Sequence, residues 1–197
     1  MPPAGPSASA GRPLGLSLLQ RRGIEAEVLI PFIRRLEVEL GPERAHRIAR
    51  ETIDEIAREQ GRAVAEGLGR TDLEGFHAVR DTWSGAGGDL TIETLREDGE
   101  RLEFNVTRCR FAELYERLGA RDLGFLLSCG RDFTLSEGYS PDLELERSQT
   151  IMQGAPFCDF RYRYRAPSAQ VALPGDADDS DNAAGTATAG PQDNQPR

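Results

Sequence analysis

The chain has 197 residues, 38% of them hydrophobic and 29% charged, with 33 acidic against 24 basic side chains and a formal net charge of −9. Single domains commonly run to about 100–200 residues, so one domain with tails is expected, and no apolar run approaches the roughly 18 residues of a membrane span. There is no basic surplus to hold a phosphate backbone, so nucleic-acid binding is not expected, and lysine is absent, which removes Schiff-base chemistry.

Residues 1–13 are rich in Pro, Gly, Ala and Ser, with one Arg and no apolar core of a signal peptide. They predict a disordered leader on a cytoplasmic protein. In that reducing setting three cysteines imply free thiols, metal ligands or a nucleophile rather than a disulfide frame. Ile24, Val28, Leu29, Phe32, Ile33, Leu36 and Leu40 are spaced as one apolar stripe of a helix over 24–40, which Pro31 is expected to kink or to start. Gly41-Pro42 closes it and opens a second, amphipathic helix that keeps a 3.6 period to Leu68, with Gly67 and Gly69 as its stop. His46 beside that stripe reads as a half-exposed surface histidine. Thr71-Asp72 can cap a short helix through Trp83, and His77 on it either lines a pocket or is a satisfied structural histidine.

Gly85, Gly87 and Gly88 form a breaker without the strand and Lys-Ser/Thr of a phosphate loop. Leu90, Ile92 and Thr94 alternate, Asp98-Gly99 turns, and Leu102, Phe104 and Val106 alternate again, which predicts a β-hairpin. Short helices are expected over 110–118 and 122–129, then a strand from Leu143 that can run to Met152, and a last half-buried strand with Cys158, Phe160, Tyr162 and Tyr164 on one face. Glu137-Gly138-Tyr139 reads as a turn. The plan is α+β: N-terminal helices packed on a mostly antiparallel sheet interrupted by short helices. Residues 14–165 are predicted to be one domain and 166–197 a disordered acidic tail.

Cys109, Cys129 and Cys158 each fall at the end of an element, where a side chain can reach a pocket mouth. Their spacings fit no CxxC zinc knuckle, and the plain alternative is three small buried hydrophobes. Asp132, three residues after Cys129, can share its face and move a proton. Arg108, Arg110 and Arg131 can lower a thiolate pKa by proximity, and Arg110 can also hold a substrate carboxylate bidentately. Glu146 is either a ligand or base lining a cavity, or part of a solvated strand face with Glu144.

Asn105-Val106-Thr107-Arg108-Cys109, Phe111-Ala112-Glu113-Leu114-Tyr115, Cys129-Gly130-Arg131-Asp132, Glu137-Gly138-Tyr139, Leu145-Glu146-Arg147-Ser148-Gln149-Thr150 and Gly154-Ala155-Pro156-Phe157-Cys158-Asp159-Phe160 occur in that order. In this pattern the chain resembles the L-2-amino-thiazoline-4-carboxylic acid hydrolase family over roughly residues 25–165. The resemblance implies a hydrolase that opens a cyclic isothiourea carboxylate, adding water at the carbon between sulfur and nitrogen to give an N-carbamoylcysteine-type product. Two mechanisms fit it. Cys129 attacks that carbon while Asp132 moves protons, with Cys109 and Cys158 beside them and no cofactor; or a zinc ion held by Cys109, Cys129 and Cys158 activates water. The nucleophile version is preferred. Arg108 or Arg110 binds the carboxylate in either, with Glu146 and His77 as further substrate contacts.

The last segment, with Glu146, Gly154 and Cys158 before an aromatic strand, is similar to the end of 4-vinyl reductase-type small-molecule-binding domains. That implies the alternative of a non-catalytic sensor for a small molecule or zinc. A purely structural interaction module, with the acidic tail as its contact, is a third possibility. The expected partner is a small molecule, with no nucleic acid and no membrane.

Overall fold

The computed structural model describes residues 15–84 and 88–165. The predicted leader, the acidic tail, and Gly85 and Gly87 of the glycine breaker lie outside them. Helix α1 (Leu18–Leu40) begins six residues earlier than its apolar spacing predicts, because Ser17 and Gln20 form a reciprocal capping box. Pro31 lies inside the helix and does not start it. The predicted stripe also divides between two faces: Ile33 is buried, while Ile24, Val28 and Phe32 are exposed. The buried face of α1 carries Arg22 and Ala26 with Ile33, so a charged residue sits where the pattern placed none.

Helix α2 (Pro42–Leu68) matches its predicted limits, with Gly69 in the left-handed conformation at its end. His46 is half-exposed, as expected, and its Nε2 lies 2.6 Å from Glu37. Helix α3 (Leu73–Ser84) follows, with the Gly75 amide donating to the Asp72 carboxylate at 3.0 Å. The hairpin forms as read: β1 (Leu90–Glu97) pairs antiparallel with β2 (Arg101–Cys109), and the Asp98 carboxylate accepts from the amides of Glu100 and Arg101 across the turn.

Helix α4 (Arg110–Arg117) leads into α5 (Arg121–Gly124), which widens into a π-helical turn over Phe125–Cys129. The expected turn at Glu137-Gly138-Tyr139 is instead the end of helix α6 (Arg131–Tyr139). The polar residues of α6 obscured its period, since Arg131, Thr134 and Ser136 are among those it buries. Strand β3 (Leu143–Glu146) stops well short of Met152, where Thr150 caps a 3-10 turn over Ile151–Gln153. Strand β4 (Cys158–Tyr164) completes a four-stranded antiparallel sheet of order β1-β2-β4-β3, so the fold is α+β.

Two apolar clusters fill the interior. One joins α3 to the inner face of the sheet, where Phe76, Trp83, Phe104, Phe160 and Tyr162 meet, and Phe104 stacks on Phe160 with ring centroids 4.8 Å apart. The other joins α1, α2, α4, α5 and the π-turn through Ala26, Ile33, Ile53, Tyr115, Leu123 and Leu127. Helices α2 and α6 cross at glycines. A Cβ on Gly61 would overlap the Leu135 carbonyl oxygen and fall 2.6 Å from the Tyr139 nitrogen, and one on Gly138 would fall 2.8 Å from the Arg58 carbonyl carbon. Among the described residues, no helix is long and apolar enough to cross a membrane.

Candidate functional site

A cavity of about 440 Å³ opens between α1, α2 and α3 on one side and the sheet, the π-turn and α6 on the other. That volume lies in the range of small-molecule sites, roughly 300–1,000 Å³. Cys109, Cys129, Cys158 and Asp132 all line it. The chain brings these four together from the end of β2, the π-turn, the start of β4 and the first turn of α6.

The π-turn decides where Cys129 stands. The Gly130 amide reaches back five residues to the Phe125 carbonyl at 2.8 Å, inserting an extra residue before α6 begins. The Cys129 carbonyl then accepts from Nη2 of Arg147 at 2.8 Å, while Nη1 of the same arginine meets the Asp132 carboxylate at 2.5 Å. Arg147 is nearly buried, and its guanidinium stacks 4.9 Å from the Phe133 and Phe160 ring centroids. One side chain thus ties together the backbone of the thiol and the carboxylate of the acid.

Arg147 is itself fixed by the segment after it. Asp159 on β4 accepts from the amides of Ser148 and Gln149 and from the Ser148 hydroxyl. Arg121 donates to the carbonyls of Ile151 and Met152, and the Ile151 amide donates to Cys158 Sγ at 3.2 Å.

Three further arginines line the cavity: Arg21, Arg22 and Arg131. Arg22 and Arg131 share one carboxylate, Glu25, at 2.7 and 3.3 Å, and Nε of Arg131 donates to the Leu127 carbonyl. Nη1 of Arg131 is buried with no hydrogen-bond partner among the described residues. Around the cavity, Arg21, Arg22, Arg131 and Arg147 outnumber the two carboxylates Glu25 and Asp132.

Burial sets the protonation of the thiols. It pushes Cys129 well above its ordinary value, with the Asp132 carboxylate adding to the rise and Arg147 opposing it. It pushes Cys109 up to about 11 and raises Cys158 against the donated Ile151 N–H. Asp132 is raised as well, burial outweighing the Arg147 guanidinium. Arg131 is lowered to about 10 by burial and by its neighbour Arg22. The expected lowering of a thiol pKa by Arg108, Arg110 or Arg131 therefore does not occur.

The four other predicted contact residues are placed elsewhere, and among the described residues none lines the cavity. Arg108 is exposed and pairs with Glu113 at 2.8 Å, because the β1–β2 register shifts at Thr107 and breaks the alternation that buries Leu102, Phe104 and Val106. Arg110 begins α4 and pairs with the buried Asp89 at 3.0 Å. Glu146 is on the solvated face of β3, within 3.7 Å of Arg163, since Leu143 faces the core. Nδ1 of His77 meets Glu97 at 3.1 Å. The cationic side chains of the cavity come instead from α1, α6 and the segment after β3. Arg22 was legible only as a residue on the Ala26–Ile33 face of α1, and Arg147 sits beside the glutamate that strand alternation drew attention to. Among the described residues, no group of three or more His, Cys, Asp or Glu side chains is placed to hold a metal ion.

A helical layer on an antiparallel sheet, with thiols, an acid and arginines around one hollow, places the chain in the α+β class. Within that class, the chain belongs to the L-2-amino-thiazoline-4-carboxylic acid hydrolase family, whose sequence profile matches residues 21–162. No curated protein matches it. Among solved structures, it is similar to the crystal structure of the phenol-responsive sensory domain of the transcription activator PoxR with phenol, at 11% identity and a TM-score of 0.47, over 75% of this chain and 76% of that one.

Proposed function

We propose that the chain hydrolyses a small cyclic carboxylate of the 2-amino-thiazoline-4-carboxylate type, opening the ring to an N-carbamoylcysteine-type product with Cys129 as nucleophile. The observation that carries this reading is the pairing, in one cavity, of Cys129 and Asp132 with arginines that outnumber their carboxylates. A substrate carboxylate answers that positive excess, and Arg131, which lines the cavity, is the donor assigned to it. This role replaces the one first given to Arg108 and Arg110.

In the first step the Cys129 sulfur bonds to the ring carbon between sulfur and nitrogen, and Asp132 takes the thiol proton. The carbon–sulfur bond of the ring breaks, and Asp132 returns that proton to the departing thiolate. In the second step water attacks the same carbon, Asp132 takes a proton from it, and the Cys129 sulfur leaves and is reprotonated. One water is consumed and the enzyme is restored. The raised pKa of Asp132 makes it a stronger base than an exposed carboxylate. Cys109 and Cys158 border the reacting carbon as small apolar walls.

Incubation with 2-amino-thiazoline-4-carboxylate, followed by colorimetric detection of released thiol, tests the reading. Turnover is expected, lost in Cys129→Ser and Asp132→Asn, with KM raised in Arg131→Gln. Turnover unchanged in Cys129→Ser refutes the nucleophile. Saturable binding without turnover favours the sensor alternative instead.

A further inference from the structure

The cavity is divided, and its second half has no part in the chemistry described above. Its polar half lies at Arg22, Arg131, Asp132 and Arg147. Beyond Phe160 the lining turns apolar: Val64, Val79, Trp83, Leu90, Val106 and Leu135 come from α2, α3, β1, β2 and α6. All six belong to or pack against the sheet-side cluster, whereas Cys129 packs against the helical one, so the cavity lies between the two. The Phe160 ring marks the boundary. Its centroid is 4.9 Å from the Arg147 guanidinium and 6.1 Å from that of Trp83. A thiazoline ring with its amino group and carboxylate is polar over most of its surface, and held at the arginines it would leave this apolar wall facing water.

We propose that the preferred substrate carries an apolar, ring-sized substituent on its carboxylated head, and that the wall around Trp83 selects it. The proposal rests on the binding of that head proposed above. Burying an aromatic ring against such a wall, rather than leaving it in water, favours binding by roughly tenfold to a hundredfold. Trp83 is the chain's only tryptophan, so its fluorescence reports occupancy of this half without any chemical step.

The test compares two probes on the full chain: 2-amino-thiazoline-4-carboxylate and 2-phenyl-thiazoline-4-carboxylate, which keeps the ring and carboxylate and carries a phenyl group in place of the amino group. The phenyl compound is expected to bind at least about tenfold more tightly and to shift Trp83 emission, whereas the amino compound binds with little change in emission. Val64→Phe, which fills the apolar half, is expected to shrink the ratio toward one. Its fold is checked by thermal melting, and the wild-type ratio stands as the test if this variant fails to fold. Equal affinity of the two compounds overturns the proposal while leaving the hydrolase reading intact. Tighter binding of the phenyl compound with no thiol released from either sustains the selective wall and overturns the hydrolase reading. Binding of neither overturns both.

Discussion

The crossing of α2 and α6 carries the sharpest prediction, because α6 presents Asp132 and follows directly on Cys129. Gly61→Ala places a methyl group against the Leu135 carbonyl and 2.6 Å from the Tyr139 nitrogen, both backbone atoms of α6 that no side-chain rotation can move aside. Overpacking of this kind costs about 1–3 kcal/mol, and a backbone clash belongs at the upper end. Alanine recovers about 1 kcal/mol of helix propensity over glycine. The net expectation is a loss of about 2 kcal/mol, or a fall in Tm of roughly 4–8 °C for a domain of this size, together with reduced turnover because α6 must move. Gly67→Ala on the same helix is the control. Nothing lies within 4 Å of its added methyl, so only the propensity gain remains, about 0.5–1 kcal/mol of stabilisation. Urea denaturation of the three proteins measures both. If Gly61→Ala proves as stable as the wild type, or if the two alanines shift stability in the same direction, the close crossing is not what holds α6.

Two further outcomes follow from the site. Arg147→Met leaves the Asp132 carboxylate without its counter-charge and frees the Cys129 carbonyl; a loss of about 3 kcal/mol is expected, partly recovered when Asp132→Asn is added, and a double variant no more stable than the single one contradicts the pairing. Alkaline stability tests the raised thiols: between pH 9 and about 11 the unfolded chain releases the Cys109 proton while the folded chain keeps it, so the folded state loses stability as pH rises through that window. Denaturant midpoints across it are expected to fall less steeply in Cys109→Ala than in the wild type, and parallel curves would refute the burial of that thiol.

The sequence was most legible where periodicity and punctuation agree. Helix α2 has a strict 3.6 period between Pro42 and Gly69, and the hairpin has two alternating runs about Asp98-Gly99. The three cysteines could be grouped because each sits at an element boundary, and Asp132 because it lies three residues from Cys129, features that survive ignorance of the tertiary fold. The arginines could not be assigned that way. Arg108 and Arg110 are near Cys109 in sequence, yet the register shift at Thr107 turns Arg108 outward and the Asp89 pair holds Arg110 away from the cavity. Arg147 is 18 residues from Cys129 and reaches it only because β3 stops at Glu146 and Asp159 holds the following turn. The π-turn leaves no mark in composition, being a matter of hydrogen-bond register alone, and Gly61 gives no hint in α2 that another helix backbone lies against it.

The division of the cavity bears on the proposed reaction of Cys129. Desolvation raises the Cys129 thiol above its ordinary value, although the residue is only half-buried at the cavity wall. Carrying its proton out to solvent would add a net charge to the cavity. Passing it to Asp132 does not: a thiol and a carboxylate become a thiolate and an acid, and the charge only moves between neighbours. Arg147, bonded to the Asp132 carboxylate and to the Cys129 carbonyl, faces that charge in either position. Burial raises the acid together with the thiol, so the transfer is less uphill than the thiol alone implies. On the proposed reading, the same desolvation that would favour a ring at the apolar wall also calls for a proton acceptor inside the cavity, and Asp132 is a carboxylate that lines it.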